Sequence, residues 1–280
     1  MTNILEAICN IVEQSNFNIK HIYSGRNRAN SVGEALENYI KDAFANTLGE
    51  TNELIIMKKY NSVFSWLGSQ NNPPDIMIKK GDAIEVKKTQ SPNSDLALNS
   101  SYPKSSLLST SPMITKECKK CEDWNEKDLI YCVGHTNDDK LNSLWMVYGS
   151  IYAANHKIYD RIKSTISAGI RTIQDVEFSD SKELGRVNRV DPLGITNLRI
   201  RGMWQILNPR NVFKYLHTQG INSFELVCII PLDKYSSFEK SSIERIEKIN
   251  HKGFTIENAE VKDPNNPAKL IDVKVIKYIL

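Results

Sequence analysis

The stretch Asn72-Pro-Pro-Asp75-Ile-Met-Ile-Lys-Lys-Gly-Asp-Ala-Ile-Glu85-Val-Lys87-Lys88 reads as two short strands joined by a turn. Lys80-Gly81-Asp82 is the turn signal, because glycine reaches the backbone conformations that close a hairpin. Side chains alternate between faces along a strand, so Ile84 and Val86 share one face while Glu85 and Lys87 share the other. The apolar pair can enter a core, leaving a carboxylate and an ammonium together on the opposite face. Asp75 opens the first strand, and a two- or three-residue turn sets it across from residues 86–88. Two carboxylates and a lysine therefore converge at one end of a hairpin.

That convergence suits phosphodiester hydrolysis. A hard divalent cation such as magnesium takes oxygen ligands and keeps several waters. Asp75 and Glu85 are placed to hold such an ion against a phosphate oxygen, where it lowers the pKa of water. Lys87 would orient or help deprotonate that water and offset charge growing on the phosphate. The same spacing also arises on an amphipathic hairpin whose ion pair is only solvated. The Pro-Asp start, the apolar residues bracketing Glu85 and the hairpin context favour the catalytic reading.

Upstream, Val32, Ala35, Leu36, Tyr39, Ile40, Ala43 and Phe44 form one stripe of a helix over about 32–48, with Ser31 and Glu34 as a capping box. At 100° per residue Glu34 lies nearly opposite the stripe and Glu37 on its border. If a helix acid joins the metal site, the geometry selects Glu37; otherwise both are solvated surface acids. Further helices are expected at about 3–14, 150–167, 209–218 and 237–251. Strands are expected near 53–59, 75–79, 83–89, 128–134, 143–149, 197–206, 224–230 and 270–278. Interspersed helices and strands give an α/β class with a central mixed sheet flanked by helices. No linker is evident, so the 280 residues are read as one domain, with 1–170 the catalytic core and 171–280 elaborating the sheet and recognition surface. The Ser-, Asn- and Pro-rich segment Thr89 to Pro112 is expected to be an extended loop with at most a short helix.

With 40% hydrophobic and 25% charged residues the chain can bury a core, and its formal charge is only +3. Affinity for an anionic partner must then come from clustered charge. No run of about 20 apolar residues is present to span a membrane, and Met1 to Gln14 lacks a signal-peptide layout, so a cytoplasmic protein is expected. Five scattered cysteines fit a reducing compartment. Cys118-x-x-Cys121 is half a zinc site without a second pair, and reads as two thiols in a lysine-rich loop. The histidines lack partner spacing, and Trp145 and Trp204 read as core residues.

The run Arg26-Asn-Arg28-Ala-Asn-Ser-Val-Gly-Glu-Ala-Leu-Glu37, the hairpin itself, and Leu98-Asn99-Ser-Ser-Tyr-Pro103-Lys104 resemble the NgoPII family of type II restriction endonucleases. So does Gly185-Arg-Val-Asn-Arg-Val-Asp-Pro-Leu-Gly-Ile-Thr-Asn-Leu-Arg-Ile-Arg-Gly-Met-Trp204. The resemblance implies the restriction-endonuclease (PD-(D/E)xK) fold, dependence on Mg2+ with no nucleotide cofactor, and a homodimer cutting a short palindrome in double-stranded DNA. The target of the family's namesake is GGCC. Asp75, Glu85 and Lys87 match the family's cleavage motif.

From Gly185 to Lys214 six basic residues (Arg186, Arg189, Arg199, Arg201, Arg210, Lys214) face one acid, Asp191, a net charge of +5. Arginine can fork onto guanine O6 and N7, so such a cluster suits GC-rich readout. Arg199 and Arg201 share a strand face, and Asn188 can meet a base or a phosphate; phosphate contact alone, or plain solvation, would use the same residues. The loop from Asn99 to Lys104 can hold the DNA backbone through Ser100, Ser101 and Lys104. Two other readings use the same residues: a repair or phage nuclease on this fold, and a DNA-binding protein without catalysis.

Overall fold

The run Leu129-Ile-Tyr-Cys-Val133 has no polar alternation, and a strand of that kind must be covered on both faces. It forms the middle of β6 (Glu126–Asn137), with all five side chains buried. The computed structural model describes residues 2–19, 32–69, 72–111, 113–137, 140–217 and 223–280. Among the described residues β6 is central to a mixed sheet. The order across it is β1 (Phe64–Trp66), β2 (Ile76–Ile78), β3 (Ala83–Thr89), β6, β7 (Lys140–Tyr148), β11 (Glu225–Pro231), β13 (Asn266–Ile279) and β12 (Phe254–Asp263). β3 runs parallel to β6, and β7 parallel to β11; the other neighbours are antiparallel. β5 (Ser106–Leu108) pairs with the start of β6.

Helices cover the sheet. α1 (Ile4–Gln14) is capped by Asn3, whose side chain accepts from the Leu5 and Glu6 amides, and buries Ile4, Leu5, Ile8 and Ile11. α2 (Val32–Ala45) buries the expected stripe from Ala35 to Phe44. It approaches β6 closely: a Cβ on Gly134 would stand 2.6 Å from a Leu36 methyl. The capping residue Ser31 and the segment Arg26 to Asn30 lie outside the described residues.

Residues 53–59, expected as a strand, belong instead to helix α3 (Glu53–Val63). Asn52 caps it, and only Ile56 and Tyr60, one turn apart, are buried, while Leu54 is 80% exposed. A short apolar run lacks the length to tell the two periods apart. α4 (Lys116–Lys120) follows, and holds Cys118 against Met77 with the Cys121 thiol on the Cys118 carbonyl.

The expected helix over 150–167 is a 3-10 turn at Gly149–Ile151 and then α5 (His156–Ile170). The strand expected over 197–206 changes partner part-way. β8 (Gly185–Val187) pairs with β9 (Leu198–Ile200), while β10 (Gln205–Ile206) pairs with β4 (Leu96–Ala97), and neither pair joins the central sheet. Two further helices are shorter than expected: α6 (Pro209–Val212), and 237–251, which contains only α8 (Lys240–Glu247) after α7 (Leu232–Ser236). No helix among the described residues is long and apolar enough to cross a membrane.

Candidate active site and nucleic-acid interface

Ile76 pairs with Ile84 and Met77 with Ala83. The Ile78 amide donates to the Asp82 carbonyl at 3.0 Å, so the turn is Lys79-Lys80-Gly81, with Lys80 in the left-handed region at φ 55°. This is one residue earlier than the sequence reading. Continuing the register puts Asp75 level with Glu85 and not across from 86–88, although its carboxylate still accepts from the Val86 amide at 2.7 Å.

The turn is held from below. Buried Lys127 on β6 donates to the Ile78 carbonyl at 3.1 Å and the Gly81 carbonyl at 2.7 Å, and pairs with Glu122 at 2.5 Å. Glu122 in turn accepts from the Lys80 amide at 2.9 Å. Asp82 is fixed by the Tyr148 hydroxyl and by Lys234, each at 2.7 Å. On the other side, the Trp66 indole donates to the Pro74 carbonyl at 3.1 Å. Gly68, at φ 86°, lies so close that a Cβ would stand 2.6 Å from the Asp75 carbonyl oxygen.

Lys87 Nζ lies 2.6 Å from Glu85 Oε1, and both side chains are largely covered. Burial, with the neighbouring Glu85 charge, pushes the Asp75 carboxyl up to about 7, against the pull of Lys87 and the Val86 amide. Lys87 is held above its usual value: burial opposes its charge, but Glu85 and Asp75 outweigh it. Asp75 and Glu85 offer carboxylate oxygens side by side, the donor type that a hard divalent cation takes. Among the described residues no three acids, histidines or cysteines gather closely enough to form a metal cage by themselves.

A cleft of about 480 Å³ separates this hairpin from α2, lined by Glu34, Glu37, Lys41, Gly68 and Asp75. Glu37 is half-buried and accepts from Lys41 Nζ at 2.6 Å, and its charge acts on both Asp75 and Lys87; Glu34 is exposed. Lys104 departs from the sequence expectation of an exposed phosphate contact. It is buried beside Glu85, with Nζ bonded to Ser101 Oγ and its amide donating to the Tyr131 hydroxyl at 2.7 Å. Burial, with Lys87 nearby, holds its ammonium below the usual range. Ser100 and Ser101 are half-buried, while Asn99 is exposed and its carbonyl accepts from the Trp204 amide at 2.8 Å. The segment from Thr89 to Pro112 contains β4 and β5 and no helix among the described residues.

The β8–β9 hairpin carries most of the arginine cluster. Arg186 pairs across to Arg199, and its Nε donates to Asn188 Oδ1 at 2.8 Å, while Asn188 donates to Ser179 at 2.9 Å. Arg189 is exposed at φ 54°. Arg199 and Arg201 both reach Glu183, at 2.6 Å each. Arg210 is not part of this surface: it pairs with buried Glu225 at 2.9 Å, beside His217.

The model of the NgoPII restriction endonuclease family matches residues 2–262, a span that contains the Asp75–Lys87 hairpin, α2 and the arginine hairpin. The chain belongs to the NgoPII restriction endonuclease family. It is 45% identical over 280 residues to the type II restriction enzyme NgoPII of Neisseria gonorrhoeae, covering 99% of this chain and 100% of that protein. No solved structure matches. In this NgoPII-family chain, sequence reasoning passed over Lys127, Glu122 and Gly68, which hold the hairpin, and Glu183, two residues before the basic stretch that begins at Gly185. Only a pairing register would have singled them out.

Proposed function

We propose that this chain is a type II restriction endonuclease of the PD-(D/E)xK kind, a homodimer that cuts both strands of double-stranded DNA at a short GC-rich palindrome, GGCC. The observation that carries the reading is the convergence of Asp75, Glu85 and Lys87 on one hairpin in a chain of this family. Asp75 and Glu85 would hold Mg2+. Bound magnesium supplies Lewis acidity, acidifying water and offsetting charge on a phosphate oxygen. Lys87, kept protonated by its two acids, supports negative charge developing on the phosphate. Glu37 adds a third carboxylate from across the cleft and, through Lys41, keeps a cation at its rim. Arg186, Asn188, Arg189, Arg199 and Arg201 face the duplex, with Asn99, Ser100 and Ser101 along its backbone, while Lys104 stays inside beside Glu85. GGCC itself rests on the family resemblance and is chemically consistent with arginine readout of guanine.

Digesting plasmid with the purified chain and magnesium, then sequencing the fragment ends, tests this. Discrete ends at GGCC are expected. Random ends, or a site without twofold symmetry, would overturn the reading, and another palindrome would overturn GGCC alone.

A further inference from the structure

We infer that Glu183 is a positioning residue for base reading, fixing Arg199 and Arg201 so that each presents its terminal fork to a guanine edge. The inference rests on the proposed reading of the chain as a GC-specific endonuclease. Arg199 Nε donates to Glu183 Oε1 at 2.8 Å and Oε2 at 3.0 Å, with Nη2 at 2.6 Å from Oε1. Arg201 Nε donates to the same Oε1 at 2.6 Å. The carboxylate is largely covered, at 14% exposure, whereas the two arginines are 51% and 52% exposed.

A guanidinium is planar and has two forked edges, one formed by Nε with a terminal nitrogen and one by both terminal nitrogens. Glu183 takes the Nε side of both arginines. The terminal fork is what matches the O6 and N7 acceptors of guanine. Holding the side chain beforehand lowers the freedom lost when that contact forms. The main chain sets up the arrangement: the Leu184 amide donates to the Ile200 carbonyl at 3.1 Å, and Gly185 pairs with Ile200, so Glu183 lies beside the end of β9.

Arg201, with Glu183, also borders a cavity shared with the segment that leads into the Asp75 hairpin. Its volume is about 180 Å³, and Ser100 and Asn72 line it too, the last only three residues before Asp75.

Positioning and mere surface charge have opposite signatures. An acid beside phosphates weakens binding to any DNA, so removing it should strengthen non-specific affinity. Loosening two base-reading arginines should weaken discrimination. The test compares Glu183→Ala and the isosteric Glu183→Gln with Arg199→Lys and Arg201→Lys. Cleavage efficiency is measured on duplexes bearing the site found from fragment ends and on duplexes with one base pair changed. Binding to random-sequence duplex is measured without metal across a salt series. The expected result for Glu183→Ala is a loss of about tenfold or more in preference for the true site, with random-sequence binding unchanged or tighter. Glu183→Gln, which keeps one acceptor oxygen, should lose less, and it carries the test if the alanine variant does not fold. Both arginine variants should lose preference as well. If they lose it and both Glu183 variants keep it, the inference is overturned while arginine readout stands. If neither arginine variant changes preference, arginine readout and the inference fall together.

Discussion

Asp75 is where the electrostatics of the site are most exposed to experiment. Its folded-state carboxyl is raised to about 7, mainly by burial and then by Glu85, against about 4 in an unfolded chain. A raised acid stabilises the fold while protonated, fully below the unfolded value, and that stability is lost as pH rises through the folded one. Metal-free Asp75→Asn, which never ionises, should therefore melt above the parent at pH 8, with the gap closing by about pH 4. A gap that does not change with pH would contradict this. Magnesium affinity should fall as pH drops below about 7, because the ion must displace the proton. The second residue-scale expectation concerns chemistry. Asp75→Ala, Glu85→Ala and Lys87→Ala should each cut the cleavage rate about a hundredfold or more, with DNA retained in a gel-shift assay. Full activity in any one would remove it from the site. That Glu85 and Lys87 share a face could be read because alternation over seven residues of β3 assigns faces without knowing the fold, whereas Asp75 stands outside β3 and its place depends on the turn. Glu183 was not legible, because its importance comes from pairing with Arg199 and Arg201 sixteen and eighteen positions away.

Among elements, the hairpin of β2 and β3 could be read and its register could not. Gly81 marks the turn, but Lys80, not the glycine, takes the left-handed conformation, and this moves the turn one residue earlier. α3 was misread because its apolar residues are mostly on the outside, where local pattern and burial disagree. β12 went unseen since it is an edge strand with charged residues at Glu257, Glu260 and Lys262, a common protection of sheet edges. The loop before the hairpin gives a sharper test. Gly68→Ala must leave the left-handed region, at roughly 1–2 kcal/mol, or drive its methyl against the Asp75 carbonyl. Cleavage should fall by more than the modest drop in melting temperature explains. Wild-type turnover in that variant would show that Gly68 does not hold Asp75.

For the whole molecule, the elements that build the cleft occupy one side of the sheet order, β1 to β6 with α2, and β11 to β13 extend the other. The α/β class with a mixed sheet was evident from interspersed patterns. The separation of the arginine hairpin from that sheet was not, because β8 and β9 are as short as ordinary sheet strands and differ only in partner. One hairpin offers one cleavage centre, whereas a duplex has two strands related by twofold axes. Sedimentation of the chain with its site DNA should therefore give two chains per duplex. A supercoiled plasmid should then become linear without a long-lived nicked form. One chain per duplex, with nicked circles accumulating, would contradict the dimer.

The grip of Lys127 on the β2–β3 turn has a kinetic meaning. The Ile78 and Gly81 carbonyls are bonded to a buried ammonium on β6, so peeling the hairpin from its neighbour breaks both bonds and leaves that ammonium with Glu122 alone. Local opening of the turn should be as rare as opening of the central strand itself. In amide hydrogen exchange the Val86 and Ile78 amides should then exchange in step with those of Ile130 and Cys132, at the rate of global unfolding. In Lys127→Met the hairpin amides should exchange faster while the β6 amides keep their pace, uncoupling the cleavage centre from the sheet that carries it.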